Sequence, residues 1–543
     1  MLRTARAALV LALVLPLADC REEPAHRAAT SIASSPVGGD RVVIPINSDP
    51  PSLDFLTCSD AWCLLVAKFV ADSLVDEGPS LEPVPRLAAS WEFSEDGKLL
   101  TFHLRQNARW HDGAPFTSKD VLFTYRRIVD PAFGARADQF QGMEEVSAPD
   151  DYTIRVRYRA PEVLALDPWK VPILPEHLLR SVGPGEHDPG RTPIGTGPFR
   201  FVRWDRGKEI VLASNSTYFL GAPHLDGLIF RIIPSSVTQF EALLTGEIDW
   251  SSIPPSEWPA RSVDAEFRRR FQLFEYPALF LNYIGWNERT PFFSDARVRR
   301  AMTLALDREG FVKKALGGAG IVAASTFHPG QVGFDAALRP LPFDPDEAAR
   351  LLDEAGWVRA PGGGLRRRNG REFRFTLLIF QRDPLPQQLA SLLSDSLHRL
   401  GVAVDIRPLD FPAMLDRLRR REFQAILSGW ALNSPDPTAM LHSDPALGPQ
   451  NYIGYASSEM DRLLVQSRHE IDPTRLRETC SRIQALEVAD QPYTFLYFPI
   501  LRIALDARFR DVSGSPFASP LRAYPSVQRW YVPAGLQKRA GAY

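Results

Sequence analysis

Few side chains in this sequence stand in patterns that perform covalent chemistry. His111 lies between Trp110 and Asp112, and a His-Asp pair can orient a general base, but no nucleophile motif accompanies it. It reads as a satisfied structural histidine in a turn. The adjacent carboxylates Glu144-Glu145 and Asp150-Asp151 fall in polar loops, where both stay solvated rather than sharing a proton. The glycines at 317–320 and 362–364 do not follow a strand and open a helix, as a phosphate-cradling loop must. The ten histidines lack the i, i+4 spacing that sets two imidazoles on one helix face. There is no G-x-S-x-G elbow and no H-E-x-x-H. The sequence thus reads as that of a protein that is not an enzyme, with no cofactor and no resident metal.

Composition narrows the partners. The chain of 543 residues is 45% hydrophobic and 24% charged, as soluble globular proteins are. Its 63 basic residues against 65 acidic ones leave a net charge of −2, which offers no long-range attraction to nucleic acid or an anionic membrane. Four cysteines exclude a disulfide-dense scaffold, and 47 prolines imply many strands and loops.

The amino terminus reads as an address. Arg3 and Arg6 precede an apolar run at 7–18, shorter than the roughly 20 residues that cross a bilayer, as in a secretory signal peptide. Cys20, in LPLADC, resembles the lipidated cysteine of a bacterial lipobox, with Asp19 where that pattern has Gly, Ala or Ser. The other reading is an ordinary signal peptide cut nearby. Residues 21–40 are small and polar and read as a tether. Cys58 and Cys63 are a candidate disulfide in an oxidising compartment, whereas Cys480 falls in step with Leu476 and Ile483 on a helical face.

Further along, the patterns alternate. Strands are expected at 41–46, on both sides of Glu95-Asp96-Gly97 between 91 and 104, and at 152–158. A helix at about 118–129 has Thr117 as its cap. In the second half, Asp344 caps a helix with Pro345 at its first position and Gly356 at its end. A strand at 373–380, helix at 387–400, strand at 402–407, helix at 412–420 and strand at 423–428 describe an α/β domain with a largely parallel sheet. Strand character returns at 492–506, so the chain leaves one domain, builds a second and crosses back. Arg382 follows a strand at the end where open sheets hold ligands, either as a carboxylate partner or as a solvated loop arginine. Asn47, Ser48 and Asp49 follow the first strand, and Asn282 and Tyr283 lie where the chain crosses to the second domain. All five are candidate ligand contacts.

Five segments carry a resemblance: 87–121 (LAASWEFSEDGKLLTFHLRQNARWHDGAPFTSKDV), 193–201 (PIGTGPFRF), 291–307 (PFFSDARVRRAMTLALD), 344–357 (DPDEAARLLDEAGW) and 429–437 (GWALNSPDP). In this order they resemble the bacterial extracellular solute-binding proteins of family 5, the dipeptide- and oligopeptide-binding components of ATP-driven importers. The resemblance implies an α/β, two-lobed periplasmic-binding-protein fold with a hinge and an additional strand-rich subdomain. Residues 41–75, 196–280 and 490–543 would form a discontinuous lobe I, 76–195 its extra subdomain and 281–489 lobe II, after a signal peptide (1–19) and tether (20–40). It further implies a monomer in the periplasm or on the outer face of the cell membrane, lipid-anchored through Cys20, that delivers a peptide or related small polar solute to an ABC permease and its ATPases. By the same resemblance, Gly429, Trp430 and Ala431 lie along a bound peptide. Trp430 then walls a side-chain pocket or packs between lobes. Where relatives usually carry an aspartate for the peptide's α-ammonium, this chain has Asn433; Asp436 either substitutes or belongs to a turn. The alternatives are a non-peptide cargo, such as a sugar or a metal chelate, and a secreted hydrolase on the same scaffold.

Overall fold

The computed structural model describes residues 36–55, 61–133, 137–183, 192–359, 362–381, 384–432, 434–517, 519–521 and 527–539. The signal, the tether up to Ser35, Cys20 and Cys58 lie outside them. Among the described residues no helix is long and apolar enough to cross a membrane, and no three His, Cys, Asp or Glu side chains are grouped to hold a metal ion.

The strand Arg41–Ile46 forms the edge of a four-stranded sheet and pairs in parallel with Gly227–Ile232; Glu209–Ser214 and Phe199–Asp205 follow antiparallel. An edge position tolerates Pro45, which has no N–H to give a further neighbour. A second, antiparallel sheet of Ala88–Phe93, Leu99–Leu104, Thr153–Tyr158 and Met143–Asp150 has its own core around Phe102, Trp110, Phe116 and Trp169. The helix Ser118–Val129 packs on it, and Thr117 caps that helix with a capping box completed by Asp120.

The segment 193–199 returns from this sheet over the helix Ala61–Val70. A Cβ at Gly195 would stand 1.9 Å from the Val70 carbonyl oxygen, and one at Gly197 would stand 2.5 Å from that of Phe69, so only glycine permits the crossing. His111 locks it. Its Nδ1 accepts from the Gly195 N–H at 3.3 Å, and its Nε2 lies 3.0 Å from the Gly197 carbonyl oxygen, which it can reach only as a donor. Burial lowers the pKa of this imidazole to about 4. The histidine is structural.

The third sheet has eight strands built around the long strand Tyr493–Asp506. Trp250–Ser252 and Phe271–Pro277 pair antiparallel with its carboxyl half, and Phe280–Trp286 and Gly320–Val322 with its amino half. Ala425–Ala431 continues antiparallel to Phe280–Trp286; only Arg374–Phe380, Ala403–Leu409 and Ala425–Ala431 are parallel to one another. The largely parallel sheet expected from the sequence is therefore mixed, because Phe280–Trp286 and Tyr493–Asp506 enter it from segments remote in sequence. The chain passes between the two halves at 277–280 and 498–501, where the Ala278 N–H donates to the Pro499 carbonyl at 2.7 Å. Helix Pro345–Glu354 begins as expected, with Asp344 accepting from the Glu347 N–H, and Ala296–Leu304 is capped in the same way by Asp295, which accepts from the Arg297 N–H.

At the carboxyl end of the long strand, buried Arg508 meets Asp40 at 3.0 Å, Asp506 at 2.9 Å and also Asp249, while Lys538 and Arg539 approach the same carboxylates. Burial alone would raise Asp40 and Asp506. For Asp40 the backbone N–H groups of Lys538 and Arg41 outweigh it, for Asp506 the Lys538 ammonium does, and Arg508 helps both, so both carboxyls titrate below the usual range. A lowered folded pKa adds stability that is complete above the unfolded carboxyl pKa of about 4 and is lost as pH falls through the folded value. Denaturant titrations should thus show stability declining on acidification below about pH 4. Arg508→Met, which leaves buried carboxylates without their cation, should cost about 3–5 kcal/mol at neutral pH.

Candidate ligand-binding site

The strand Ala425–Ala431 presents the candidate residues. Gly429 stands opposite Asn282 and Trp430 opposite Leu281 in its antiparallel pairing with Phe280–Trp286. On its other side, Arg374–Phe380 pairs with Ala425 and Ile426 only. Among the described residues no strand pairs with 427–431 on that side, which leaves an edge of backbone donors and acceptors.

Aromatic rings surround this edge. Trp430 stacks on Tyr283 with centroids 3.9 Å apart and an interplanar angle of 23°, and meets Tyr493 edge-on at 4.7 Å. Tyr283 and Tyr493 are buried, whereas Trp430 is half-buried. Burial pushes the Tyr283 phenol well above its usual pKa, so it stays neutral. Successive strand residues face opposite ways, so Tyr283 supports Trp430 from within the core while the half-buried Asn282 points the other way. Gly429 is bare because the Phe280 ring lies over it: a Cβ there would stand 2.3 Å from that ring. Phe280 is 38% exposed and was not among the residues singled out from sequence. Its only signal there was a large apolar side chain at the mouth of a strand.

Asn47, Ser48 and Asp49 belong to the other half of the molecule. The Asn47 carbonyl oxygen accepts from Trp62 Nε1 and from the Ser48 hydroxyl. The Asp49 carboxylate accepts from Trp204 Nε1 at 2.7 Å and from the Gly207 N–H at 2.6 Å, which holds a neighbouring hairpin. Asp436 forms a turn, accepting from the Thr438 N–H at 2.9 Å, and faces Arg468 at 3.6 Å. Ala431 is exposed at the strand end. Arg382 and Asn433 lie outside the described residues. Cys63 is disulfide-bonded, with its candidate partner Cys58 likewise undescribed, and Cys480 is free and buried.

A cavity of about 480 Å³ opens at the opposite strand ends, lined by Arg289, Arg407, Arg417, Arg421, Thr376 and Gln424 among others. Roughly 20 Å of strand separates Gln424 from Trp430, and Arg417 there pairs with Glu422 at 2.9 Å. It is a solvated recess, apart from the candidate site.

Residues 82–449 match the bacterial extracellular solute-binding proteins, family 5 (middle). The chain belongs to that family. Membership makes it a solute-binding protein that works outside the cytoplasm, of a family defined by binding rather than catalysis. It is 28% identical to the oligopeptide-binding protein AppA of Bacillus subtilis over 538 residues, covering 96% of this chain and 97% of AppA. The structure of AppA with a nonapeptide superposes with a TM-score of 0.79 at 26% identity, over 92% of this chain and 100% of that one. The protein DppA of Helicobacter pylori with the peptide STSA gives a TM-score of 0.77 at 25% identity, over 91% and 98%. NikZ of Campylobacter jejuni with Ni(L-His), at 22% identity and a TM-score of 0.78 over 91% and 99%, shares the fold. That fold is the two-lobed one of periplasmic binding proteins.

The geometry separates a supporting ring from an exposed one. Tyr283→Ala empties a core position and should cost about 3–5 kcal/mol in chemical denaturation, whereas Trp430→Ala should cost clearly less.

Proposed function

We propose that this protein captures peptides between its two lobes and delivers them to an ABC permease. The observation that carries this reading is the open edge at 427–431, flanked by Trp430 and Phe280. An extended peptide can add to such an edge as a further strand, taking affinity from main-chain hydrogen bonds and little sequence preference from side chains. The structures of AppA and the Helicobacter DppA, both in complex with peptides, support the same cargo. In this reading 277–280 and 498–501 are the hinge strands, which moves the second crossing later than the expected start of the lobe I return at 490, because residues 493–497 pair with Phe280–Trp286. The chain is secreted by its signal peptide, lipid-anchored at Cys20 and monomeric.

One observation favours a second cargo class. Asn433 offers no negative charge where the family's peptide binders usually place an aspartate, and a desolvated ammonium without its counter-ion costs several kcal/mol. A solute without a free amine, or a chelate such as that held by NikZ, fits that substitution.

Native mass spectrometry of the purified protein decides between them. A retained peptide mixture is expected; a single defined non-peptide mass overturns the peptide reading. Trp430→Ala should weaken re-binding at least about tenfold with the fold intact, and Asn433→Asp should tighten binding of peptides with free amino termini by a similar factor. In cells, labelled lipid should incorporate into the wild type and not into Cys20→Ser.

A further inference from the structure

One cluster joins parts of the molecule that belong to separate cores and that neither the fold nor the candidate site has used. The loop 159–163 leaves the strand Thr153–Tyr158 of the antiparallel sheet, whose core surrounds Trp169. The helix Ser458–His469 is anchored in a different core by Met460, Leu463 and Leu464, alongside Tyr283 and Tyr493. The two meet. The Val163 N–H donates to the Arg468 carbonyl at 2.8 Å, and His469 Nδ1 lies 2.7 Å from the Pro161 carbonyl oxygen. A Cβ placed on Gly97 would lie 3.3 Å from Pro161 Cβ and 3.9 Å from Ile471 Cγ2, so these side chains converge too.

The Arg468 guanidinium stands between two carboxylates. Its Nη2 lies 3.8 Å from Glu162 and its Nε 3.6 Å from Asp436, in the turn that follows Trp430. Its Nε is buried without a hydrogen-bond partner. The backbone contacts are therefore made at full strength, while both ion pairs fall just beyond hydrogen-bond length. A further approach of a few tenths of an ångström converts both to charge-assisted bonds. Burial pushes the Glu162 carboxyl above its usual pKa; Arg468 is the main group opposing that shift, followed by His469, and Asp436 adds to it.

We propose that Arg468 is a positioning residue that bridges Glu162 and Asp436, and so couples closure of the two lobes to the placement of the loop after Trp430. The inference rests on the reading of the protein as one that closes on a ligand, but its test needs no ligand. Pro161→Cys and Ile471→Cys are introduced together into the full chain, and a short thiol-specific cross-linker joins them whenever the contact forms; Ile471 is 59% exposed and the native Cys480 is buried. Arg468→Gln in this background should slow cross-linking about fivefold, the size of one partly exposed ion pair. Glu162→Gln should do the same, and the double variant should be no slower than either single one. Arg468→Lys should fall between, which separates loss of the bridge from loss of the fold. Added salt should slow the wild-type pair and leave the variants unmoved. Equal rates for wild type and Arg468→Gln, or additive losses in the double variant, overturn the proposal. Where a bound solute is available, it should leave Arg468→Gln about five times faster; a wild type that cross-links as expected yet retains no peptide overturns the cargo reading and leaves this one standing.

Discussion

A single strand, Tyr493–Asp506, has to be buried in four hydrophobic cores, and the rest of the structure is arranged to let it. Tyr493, Phe495 and Phe498 belong to the core beneath Trp430, Leu496 and Tyr497 to the core around Trp286, and Ile503 and Leu505 to the core of the first sheet. Ala504 faces a fourth, around Phe240 and Leu243. A regular strand serves two faces by strict alternation. This one escapes that limit through an irregularity between Asn282 and Tyr283, where the partners shift from Tyr497 to Phe495 and Leu496 is the extra residue. It then changes partner altogether, from Phe280–Trp286 to Phe271–Pro277. Pro499 and Pro277 fall at the change, where neither can donate to a ladder.

The change of partner lets one strand belong to both parts of the molecule. Only two stretches, 277–280 and 498–501, make the crossing, and separate hydrophobic cores lie on either side of it. The cluster at Arg508 ties together Asp40, Asp249, Asp506, Lys538 and Arg539 from four remote stretches of chain. Such a cluster is useful only when complete: each charge is affordable in the interior because the others are present. In a two-lobed binding protein, a solute that prefers the closed arrangement can shift the balance without any catalytic group.

What could be read from the sequence was local. Asp344 and Thr117 are expected to cap helices from signals within four residues, and both do so in the fold. Within 193–201, a segment that carries the resemblance, the reason for Gly195 is the distant Val70 carbonyl. Strand direction was not legible. Whether Ala425–Ala431 runs parallel or antiparallel to its neighbour depends on a segment about 140 residues earlier (Phe280–Trp286), and nothing in either segment's alternation encodes that. The same limit applied to the site. Asn282 and Tyr283 are adjacent in sequence, but the pleat sends one into the core under Trp430 and the other away. Phe280 over Gly429, and Arg468 beside Glu162, become neighbours only through pairings made elsewhere.

Main-chain recognition makes a particular demand on such a site. Hydrogen bonds from a strand edge gain little in water, because water satisfies the same groups equally well; they gain once the edge is covered. The rings of Trp430 and Phe280 flank it, and in the proposed reading closure of the opposite lobe covers the rest. A carrier also has to release its cargo, so closure must be favoured only modestly. A bridge of partly exposed charges at 3.6 and 3.8 Å suits that requirement, since a pair of this kind contributes on the order of 1 kcal/mol or less. The near-balance of charge across the chain fits the same logic. Long-range attraction would favour one class of ion, whereas a strand edge of peptide groups, used as proposed, would select for shape and main chain.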